Sequence, residues 1–224
     1  MEHLSQARPL VERAYEAILD AICDGTLRAG ERLTQDEIAA RLDVSRQPVM
    51  HALAMLKTQG FVVETGRRGL AVAPVDPQLF EAIYQIRSAI EPLAVELATP
   101  RLSSELITRG RRLVAHGRSM VQANDRKGVL QADIDFHSLI YAASGNPLIA
   151  QTMQLHWQHL RRTMGEVLRA PGLSIRVWRE HGAILEEMVR GDADAASRLM
   201  RDHIVHAYEW VSRGAMADTW PSAG

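Results

Sequence analysis

The sequence has 224 residues, of which 46% are hydrophobic and 24% charged, and its formal net charge is −1. These proportions are those of a globular protein of one large or two small domains, and the balanced charge argues against a surface coated with positive charge. No apolar run approaches the roughly 20 residues that span a bilayer, and the N-terminus lacks a signal-peptide pattern. We therefore expect a cytoplasmic protein with no membrane partner. The single cysteine, Cys23, excludes an internal disulfide framework and fits a reducing compartment.

Residues 1–73 predict three helices followed by a β-hairpin. Apolar residues at helical spacing over residues 10–22 predict the first helix. The capping box TQDE, residues 34–37, starts a short second helix, and Ser45 caps a third helix that ends at Gly60. The segments FVVE and LAVAP, separated by the turn TGRRG, predict the two strands of a hairpin.

Three helices and a hairpin wing describe a winged helix-turn-helix, whose third helix enters the major groove of DNA. Arg46 and Gln47 lie in the first turn of that helix, where Arg can hold guanine and Gln adenine through paired hydrogen bonds. Residues 41–68 hold five basic against two acidic residues, a local excess that suits phosphate binding. The backbone N–H groups at the Ser45 cap also suit a phosphate. The glycines and arginines of the hairpin tip are suited to insertion into a minor groove or to contact with the DNA backbone.

The stretch LTQDEIAARLDVSRQPVMHALAMLKTQGFVV resembles the DNA-binding domain of GntR-type bacterial transcription regulators, a likeness that covers roughly residues 10–73. The match includes the family's VSR-PV pattern, but Met50 and His51 replace its usual Arg-Glu pair. The family's arginine at this place is generally a DNA contact, so its loss removes about 1–3 kcal/mol of base discrimination. Met50 then packs on a thymine methyl and His51 touches phosphate, or Met50 is simply a tolerated exposed residue. The candidate DNA contacts are Thr34, Ser45, Arg46, Gln47, Met50, His51, Arg67, Arg68 and Gly69.

Residues 74–77 predict a linker, and the chain beyond it predicts only helices. Breaks at TPRLSS, QAND, SGNP, APGLS and RGDAD divide residues 78–213 into six helices, an all-α bundle, with residues 214–224 as a C-terminal tail. The fold class is therefore mainly α. A stripe at steps of four and three predicts the buried face of the first bundle helix; it comprises Leu79, Ile83, Ile86, Ile90, Leu93 and Leu97.

Four polar side chains of the bundle fall on apolar helix faces. Asp133 and His137 are four residues apart, and His181 and His203 each lie on an apolar stripe of a later helix. Burying such groups is costly unless they are satisfied, and three imidazoles with a carboxylate are good ligands for a first-row divalent metal. Spacing alone fits hydrogen-bonded core histidines better than a metal site.

Residues 78–213 resemble the FCD effector domain that follows the winged helix in the FadR branch of the GntR regulators. The segments that carry the likeness are IYQIRSAIEPLAVELA, DIDFHSLIYAASGNPLI and REHGAILEEMVRGDADAASRLMRDHI. The resemblance implies a metal, zinc by default with nickel or manganese also fitting, and a small organic acid as effector beside it. The implied metal ligands are Asp133, His137, His181 and His203, and the implied effector contacts are Arg87 and Asn146. From the residues alone, Arg87 is equally suited to an ion pair with Glu91, and Asn146 to capping a helix.

Together these features predict a DNA-binding transcription regulator that binds a two-fold symmetric operator as a homodimer. A carboxylate bound at the metal would modulate its operator affinity, with repression as the family's commoner mode. One alternative is a regulator whose metal is purely structural and which has no effector. The other alternative is a metal-dependent enzyme. The sequence argues against it, because it has no acid or base spaced as in HExxH and no Gly-rich phosphate loop.

Overall fold

The computed structural model describes residues 9–66, 69–167 and 173–218. The chain forms two compact units, residues 1–75 and 76–224. Within the described residues the helices are α1 (Leu10–Cys23), α2 (Gln35–Leu42), α3 (Arg46–Thr58), α4 (Pro77–Ala98), α5 (Ser104–Gln122), α6 (Arg126–Ala143), α7 (Pro147–Val167), α8 (Leu173–Arg190) and α9 (Ala193–Asp218). The strands are β1 (Arg32–Leu33), β2 (Val62–Thr65) and β3 (Gly69–Val72). No described helix is long and apolar enough to cross a bilayer.

The N-terminal unit, residues 1–75, is the predicted three-helix winged fold with one further strand. Its antiparallel sheet has the order β1-β3-β2, so that the predicted hairpin is confirmed and β1 pairs with its second strand. Sequence analysis missed β1, because two residues are too few to show the alternation of a strand. The largest core residues of this unit include Leu19, Leu53, Leu56 and Phe61, which join the helices to the sheet.

Local signals set the turn between α2 and α3. The Thr34 hydroxyl accepts a hydrogen bond from the Glu37 amide at 3.3 Å and donates one to the Glu37 carboxylate at 2.7 Å. Asp43 ends α2 with φ of 51°, a left-handed conformation that Asp tolerates better than most residues. Ser45 occupies the N-cap position of α3, although its side chain makes no capping hydrogen bond.

The C-terminal unit, residues 76–224, contains α4 to α9, the six helices predicted for the bundle. Asp76 caps α4 through a 2.9 Å hydrogen bond from the Gln78 amide, so the helix includes Pro77, which the sequence predicts to lie in the linker. At the other end, α9 continues to Asp218 rather than ending at residue 213. The predicted break at residues 170–174 lies partly outside the described residues. The helices α4, α6, α8 and α9 enclose a core that contains Phe136, Trp178 and Ile184.

The predicted buried stripe of α4 is only partly buried. Ile83 is 1% exposed, but Leu79, Ile86 and Leu93 are 37%, 41% and 43% exposed. The buried face of α4 is rotated around the helix and comprises Phe80, Ile83, Tyr84, Arg87, Glu91, Pro92, Ala94, Val95 and Ala98. The prediction was wrong because hydrophobic periodicity does not count a buried ion pair, and the Arg87–Glu91 pair is part of the inward face.

Gly117 of α5 allows a close approach to Trp178 of α8. A Cβ at Gly117 would lie 2.1 Å from Cζ2 of the indole, and Trp178 is only 1% exposed. A buried indole has no room to move away, so α5 and α8 keep this spacing only while residue 117 lacks a side chain.

In Gly117→Ala, overpacking should cost about 1–3 kcal/mol and helix propensity should return roughly 1 kcal/mol, so we expect the free energy of unfolding to fall by up to about 2 kcal/mol. Urea unfolding measures the change. In the background of Trp178→Leu, which removes the clashing ring, the same substitution should cost less or become stabilising. Equal costs in the two backgrounds would show that the indole is not the obstacle.

Candidate nucleic-acid interface and metal centre

The third helix of the winged unit presents its predicted DNA-reading side to solvent. Arg46, Gln47, Met50 and His51 are all exposed. The opposite side of α3 is buried and comprises Pro48, Val49, Ala52, Leu53 and Leu56. Met50, where the family has an arginine, is 45% exposed, so an apolar side chain stands in the centre of this surface.

The other predicted DNA contacts differ in their surroundings. Thr34 is half-buried and engaged in its cap with Glu37, while Ser45 is exposed at the start of α3. Gly69 is half-buried at the first position of β3, where it pairs with Thr65. Arg67 and Arg68 lie outside the described residues.

Asp36, in the first turn of α2, forms an ion pair with Arg46. Both side chains are well exposed, at 69% for Arg46 and 62% for Asp36, so the pair lies on the surface that would meet DNA. The carboxylate competes for the guanidinium and also repels phosphate. Sequence analysis missed Asp36, because an acid in a first helical turn is equally expected as a partner of the helix dipole.

The C-terminal unit brings together the four predicted metal ligands from three helices. His137 on α6, His181 on α8 and His203 on α9 each offer a ring nitrogen, and these atoms all lie within 4.8 Å of one another. The Nε2 atoms of His181 and His203 are 3.2 Å apart. Asp133 Oδ1 lies 3.4 Å from Nε2 of His181 and 4.0 Å from Nε2 of His137. All four residues are buried.

The shortest separation between ring nitrogens, that of His181 and His203, fits a common metal ion. Two nitrogens that are each about 2.1 Å from one ion lie roughly 3.0 Å apart at a right angle and about 3.4 Å apart at the tetrahedral angle. The observed 3.2 Å between His181 and His203 falls between these values. In addition, Nε2 of His137 is buried and has no hydrogen-bond partner, a costly state that a bound cation would relieve. The donor set therefore fits a first-row divalent metal.

Two glutamates contact the far sides of two of the histidine rings, those of His203 and His137. The carboxylate of Glu180 lies 2.8 Å from Nδ1 of His203 and also accepts a 2.8 Å hydrogen bond from Arg176. Oε2 of Glu91 lies 2.6 Å from Nδ1 of His137, in a close contact that is poorly aligned for a hydrogen bond. A carboxylate at Nδ1 keeps the proton on that nitrogen and leaves Nε2 as the lone-pair donor.

Electrostatics favour the neutral form of two of the imidazoles, His181 and His203. Burial lowers the pKa of His181 well below its ordinary value, and the nearby His203 and His137 rings lower it further. Burial also lowers the pKa of His203, although Glu180 opposes the shift. Burial would raise the pKa of Glu180, but its hydrogen bonds with His203 and Arg176 make the net shift downward. His181 and His203 are thus favoured in the unprotonated form that metals bind, with an ionised Glu180 behind His203.

The predicted effector contacts are already engaged within the chain. Arg87 is 1% exposed, its Nε donates a 2.6 Å hydrogen bond to Glu91, and its guanidinium lies 4.8 Å from the ring centre of Trp157. The ion pair with Glu91 that sequence analysis left open is thus present. Asn146 precedes α7, and its side-chain oxygen accepts a hydrogen bond from the Leu148 amide at 3.1 Å, which is the capping alternative.

Sequence analysis did not find Glu180 or assign a role at the metal to Glu91. Glu180 directly precedes His181, but adjacent residues on a helix point in different directions, and the contact it makes is with His203 on the next helix. Glu91 was recognisable only as the i+4 partner of Arg87.

Comparison with known proteins identifies both units. Residues 82–206, more than half of the chain, match the FCD domain, and residues 10–72 match the bacterial regulatory proteins of the gntR family. The chain belongs to the GntR family. As a GntR-family protein with an FCD domain, it is a DNA-binding transcription regulator and not an enzyme.

Relatives and solved structures agree with this assignment. The HTH-type transcriptional regulator YdhC of Bacillus subtilis is 24% identical over 212 residues, covering 92% of each chain. The Nta operon transcriptional regulator of Aminobacter aminovorans is 29% identical over 140 residues, which cover 60% of this chain and 63% of that one. The structure of Escherichia coli McbR/YncC has a TM-score of 0.80 at 18% identity and covers 92% of this chain and 99% of its own. A GntR regulator from a Rhodococcus species has a TM-score of 0.78 at 25% identity, covering 91% and 97%.

The Arg46–Asp36 pair makes a prediction about DNA affinity. Asp36→Asn keeps the side-chain shape but removes the charge that competes for Arg46, so we expect about two- to fivefold tighter binding, the scale of an exposed ion pair, with a larger gain at low salt. Fluorescence anisotropy on DNA from just upstream of the gene, run beside unrelated DNA, measures the affinity.

Two controls define the cause of this change. Asp194→Asn removes the same charge from an exposed position of α9 and should leave the affinity almost unchanged. Arg46→Ala should weaken binding by about 1–3 kcal/mol, and in that background Asp36→Asn should lose most of its effect. A gain from Asp36→Asn that persists without Arg46 would mean that Asp36 acts only by repelling phosphate.

Proposed function

We propose that this DNA-binding regulator senses a small organic acid through a divalent metal ion held by Asp133, His137, His181 and His203. The observation that carries the proposal is the convergence of three buried imidazoles and a carboxylate from three helices, with a lone pair of His137 that has no protein partner. Zinc is the default metal for three nitrogens and one oxygen, and nickel and manganese also suit such ligands.

When bound, the metal would supply a positive charge with open coordination positions that attract a carboxylate. The chain prepares its own ligands for that role. Carboxylates lie at Nδ1 of two rings, Glu180 at His203 and Glu91 at His137, and would favour the tautomers in which Nε2 faces the site. Asp133 would add an oxygen ligand to the three nitrogens.

The effector would also meet a polar group on α4. The hydroxyl of Tyr84 is buried without a hydrogen-bond partner, and burial raises the pKa of Tyr84 to about 12, so the group remains a donor at neutral pH. Arg87 lies 5.0 Å from the ring centre of Tyr84 but is neutralised by Glu91. An incoming carboxylate would therefore share Arg87 with Glu91 or replace Glu91 as its partner.

Regulation follows if the acid binds two arrangements of the protein with different affinity. In a cytoplasmic homodimer, two recognition helices would lie on a two-fold symmetric operator, and effector binding at the helical bundle would change their spacing. Release from the operator on effector binding would make the protein a repressor.

The alternative of a purely structural metal draws support from the Arg87–Glu91 pair. Because each group already satisfies the other, the buried network needs no further anion to balance it. In that case the metal would stabilise the bundle, and no organic acid would change DNA affinity.

The metal part of the proposal predicts the effect of Glu180→Gln. Without the carboxylate behind His203, we expect metal affinity to fall about ten- to a hundredfold. Mass spectrometric metal analysis of the purified protein and competition with a calibrated chelator measure it. The matched control is Glu186→Gln on the same helix, where the carboxylate pairs with Arg111 at the surface and metal affinity should not change. Equal metal affinities of the two variants would show that Glu180 does not support metal binding.

The effector part predicts a change in DNA affinity that depends on the metal. A panel of small mono- and dicarboxylic acids is titrated against the protein bound to its upstream DNA. Each titration is made with the metal-loaded protein and again with protein whose metal has been removed by chelation. We expect at least one acid to weaken DNA binding of the metal-loaded protein, and His137→Ala to abolish that response. Tight metal binding with no response to any acid would favour the structural alternative.

A further inference from the structure

The outer face of α3 is apolar at its centre. Met50 and Ala54 lie one helical turn apart and are both exposed, Met50 at 45%. Because an α-helix turns by about 100° per residue, both lie on the side opposite the buried positions of α3. We call Met50 and Ala54 the α3 apolar strip. In a winged helix-turn-helix this side of the third helix enters the major groove, so the strip contacts base edges when DNA is bound.

The cations at the two ends of α3 are paired within the winged unit. Arg46 in the first turn pairs with Asp36, and Lys57 in the last turn pairs with Glu64 of β2. The hydrogen bond and the charge of Lys57 lower the pKa of Glu64, so this acid stays ionised. Each acid offsets one positive charge that the helix would otherwise offer to phosphate. The centre of α3 therefore contributes to DNA binding through its contact with bases more than through charge.

Thymine is the base whose major-groove edge suits an apolar side chain. Guanine, adenine and cytosine present hydrogen-bond donors and acceptors there, whereas thymine also presents its 5-methyl group. A methionine against a guanine oxygen or a cytosine amino group would exclude water without supplying a hydrogen bond, which is costly. Against a methyl group the same side chain gains a hydrophobic contact, and its flexible thioether adapts to the surface. Attraction to one base is thus combined with a penalty against the others.

The spacing within the α3 apolar strip matches the spacing of bases. Four residues extend about 6 Å along a helix, and base pairs are stacked roughly 3.4 Å apart. Met50 and Ala54 are therefore separated by about two base-pair steps. The side chain of Ala54 is a single methyl group, so the helix can approach the groove closely beside Met50.

We infer that the α3 apolar strip binds the 5-methyl group of a pyrimidine in the operator, with Met50 as the residue that determines specificity for it. Thymine and 5-methylcytosine both present this group in the major groove, at the same position of the ring. Such recognition requires neither the metal nor the organic acid, so it goes beyond the proposed sensing role. It also assigns a function to Met50, for which the sequence leaves open the alternative of a tolerated exposed residue.

The first test is a selection of binding sites from a randomised duplex library, made with the full-length protein and two variants. Wild-type protein should select thymine at a defined position, and Met50→Ala should lose the preference at that position alone. The matched control is Met55→Ala, which removes the same side chain from another exposed position of α3, 41% exposed and outside the strip. This variant should select the wild-type sequence. Because both methionines are exposed, neither substitution should lower the melting temperature.

The second test changes only the methyl group of the selected duplex. Replacing the selected thymine with uracil removes the methyl group and keeps every hydrogen-bonding atom. We expect wild-type protein to bind the uracil duplex about fourfold more weakly, the effect of one buried methyl group, and Met50→Ala to bind both duplexes equally. Fluorescence anisotropy measures both affinities.

A cytosine in place of the same thymine distinguishes the two sources of the methyl group. Wild-type protein should bind the cytosine duplex more weakly than the thymine duplex, and 5-methylcytosine should restore part of the affinity. Met50→Ala should show no gain from this methylation. Whichever of the thymine and 5-methylcytosine duplexes the wild-type protein binds more tightly contains the preferred base.

The salt dependence separates a methyl contact from a phosphate contact. Met50→Ala should weaken binding without changing the slope of log affinity against log salt concentration, whereas loss of a phosphate contact reduces that slope by about one. Equal binding of the thymine and uracil duplexes by wild-type protein would overturn the inference, as would an equal loss on the uracil duplex in wild type and Met50→Ala. Loss of the thymine preference in Met55→Ala would also overturn it, because that side chain lies outside the strip.

Discussion

The C-terminal unit depends on one constraint: a charged arginine, Arg87, and a charged glutamate, Glu91, are buried side by side on α4. Burial would raise the pKa of Glu91, but Arg87 and His137 overcome that effect and hold it well below its usual range. Glu91 in turn keeps the pKa of Arg87 raised despite its burial. Because removing one partner of such a pair leaves an uncompensated buried charge, which costs about 3–5 kcal/mol, the network fixes how α4 and α6 face each other.

This constraint also connects the bundle to its ligand cluster. Glu91 contacts Arg87 through one oxygen and His137 through the other, so the orientation of a ligand ring is tied to a helix that carries no metal ligand. On the other side of the cluster, Glu180 joins His203 to Arg176 in the same way. Two of the three imidazoles, those of His137 and His203, therefore have a carboxylate behind them, whereas the ring of His181 is stacked against Phe136.

Local signals predicted the winged unit well, because caps and turns act within a few residues, as the Thr34–Glu37 cap shows. The four residues of the ligand cluster were also recognisable as polar groups on apolar faces. Contacts between helices could not be predicted from the sequence in the same way. The partner of His203 lies 23 positions earlier in the chain, and the Arg46–Asp36 pair joins two helices across a turn. The face of α4 was misassigned because apolar periodicity gives no sign of which apolar stripe remains outside, and here both the buried and the exposed side are apolar.

The Arg46–Asp36 pair has a consequence for how long the protein stays at one DNA site. When a guanidinium leaves a base or phosphate, water or a salt ion normally replaces that partner. Here a carboxylate on the neighbouring helix is ready to take it back, at the high effective concentration of a tethered group. Recapture by Asp36 would therefore speed dissociation from every sequence, and short residence at wrong sites would let the protein scan more DNA in the same time. The protein would be retained only at a DNA site where several contacts have to break at the same time before it can dissociate.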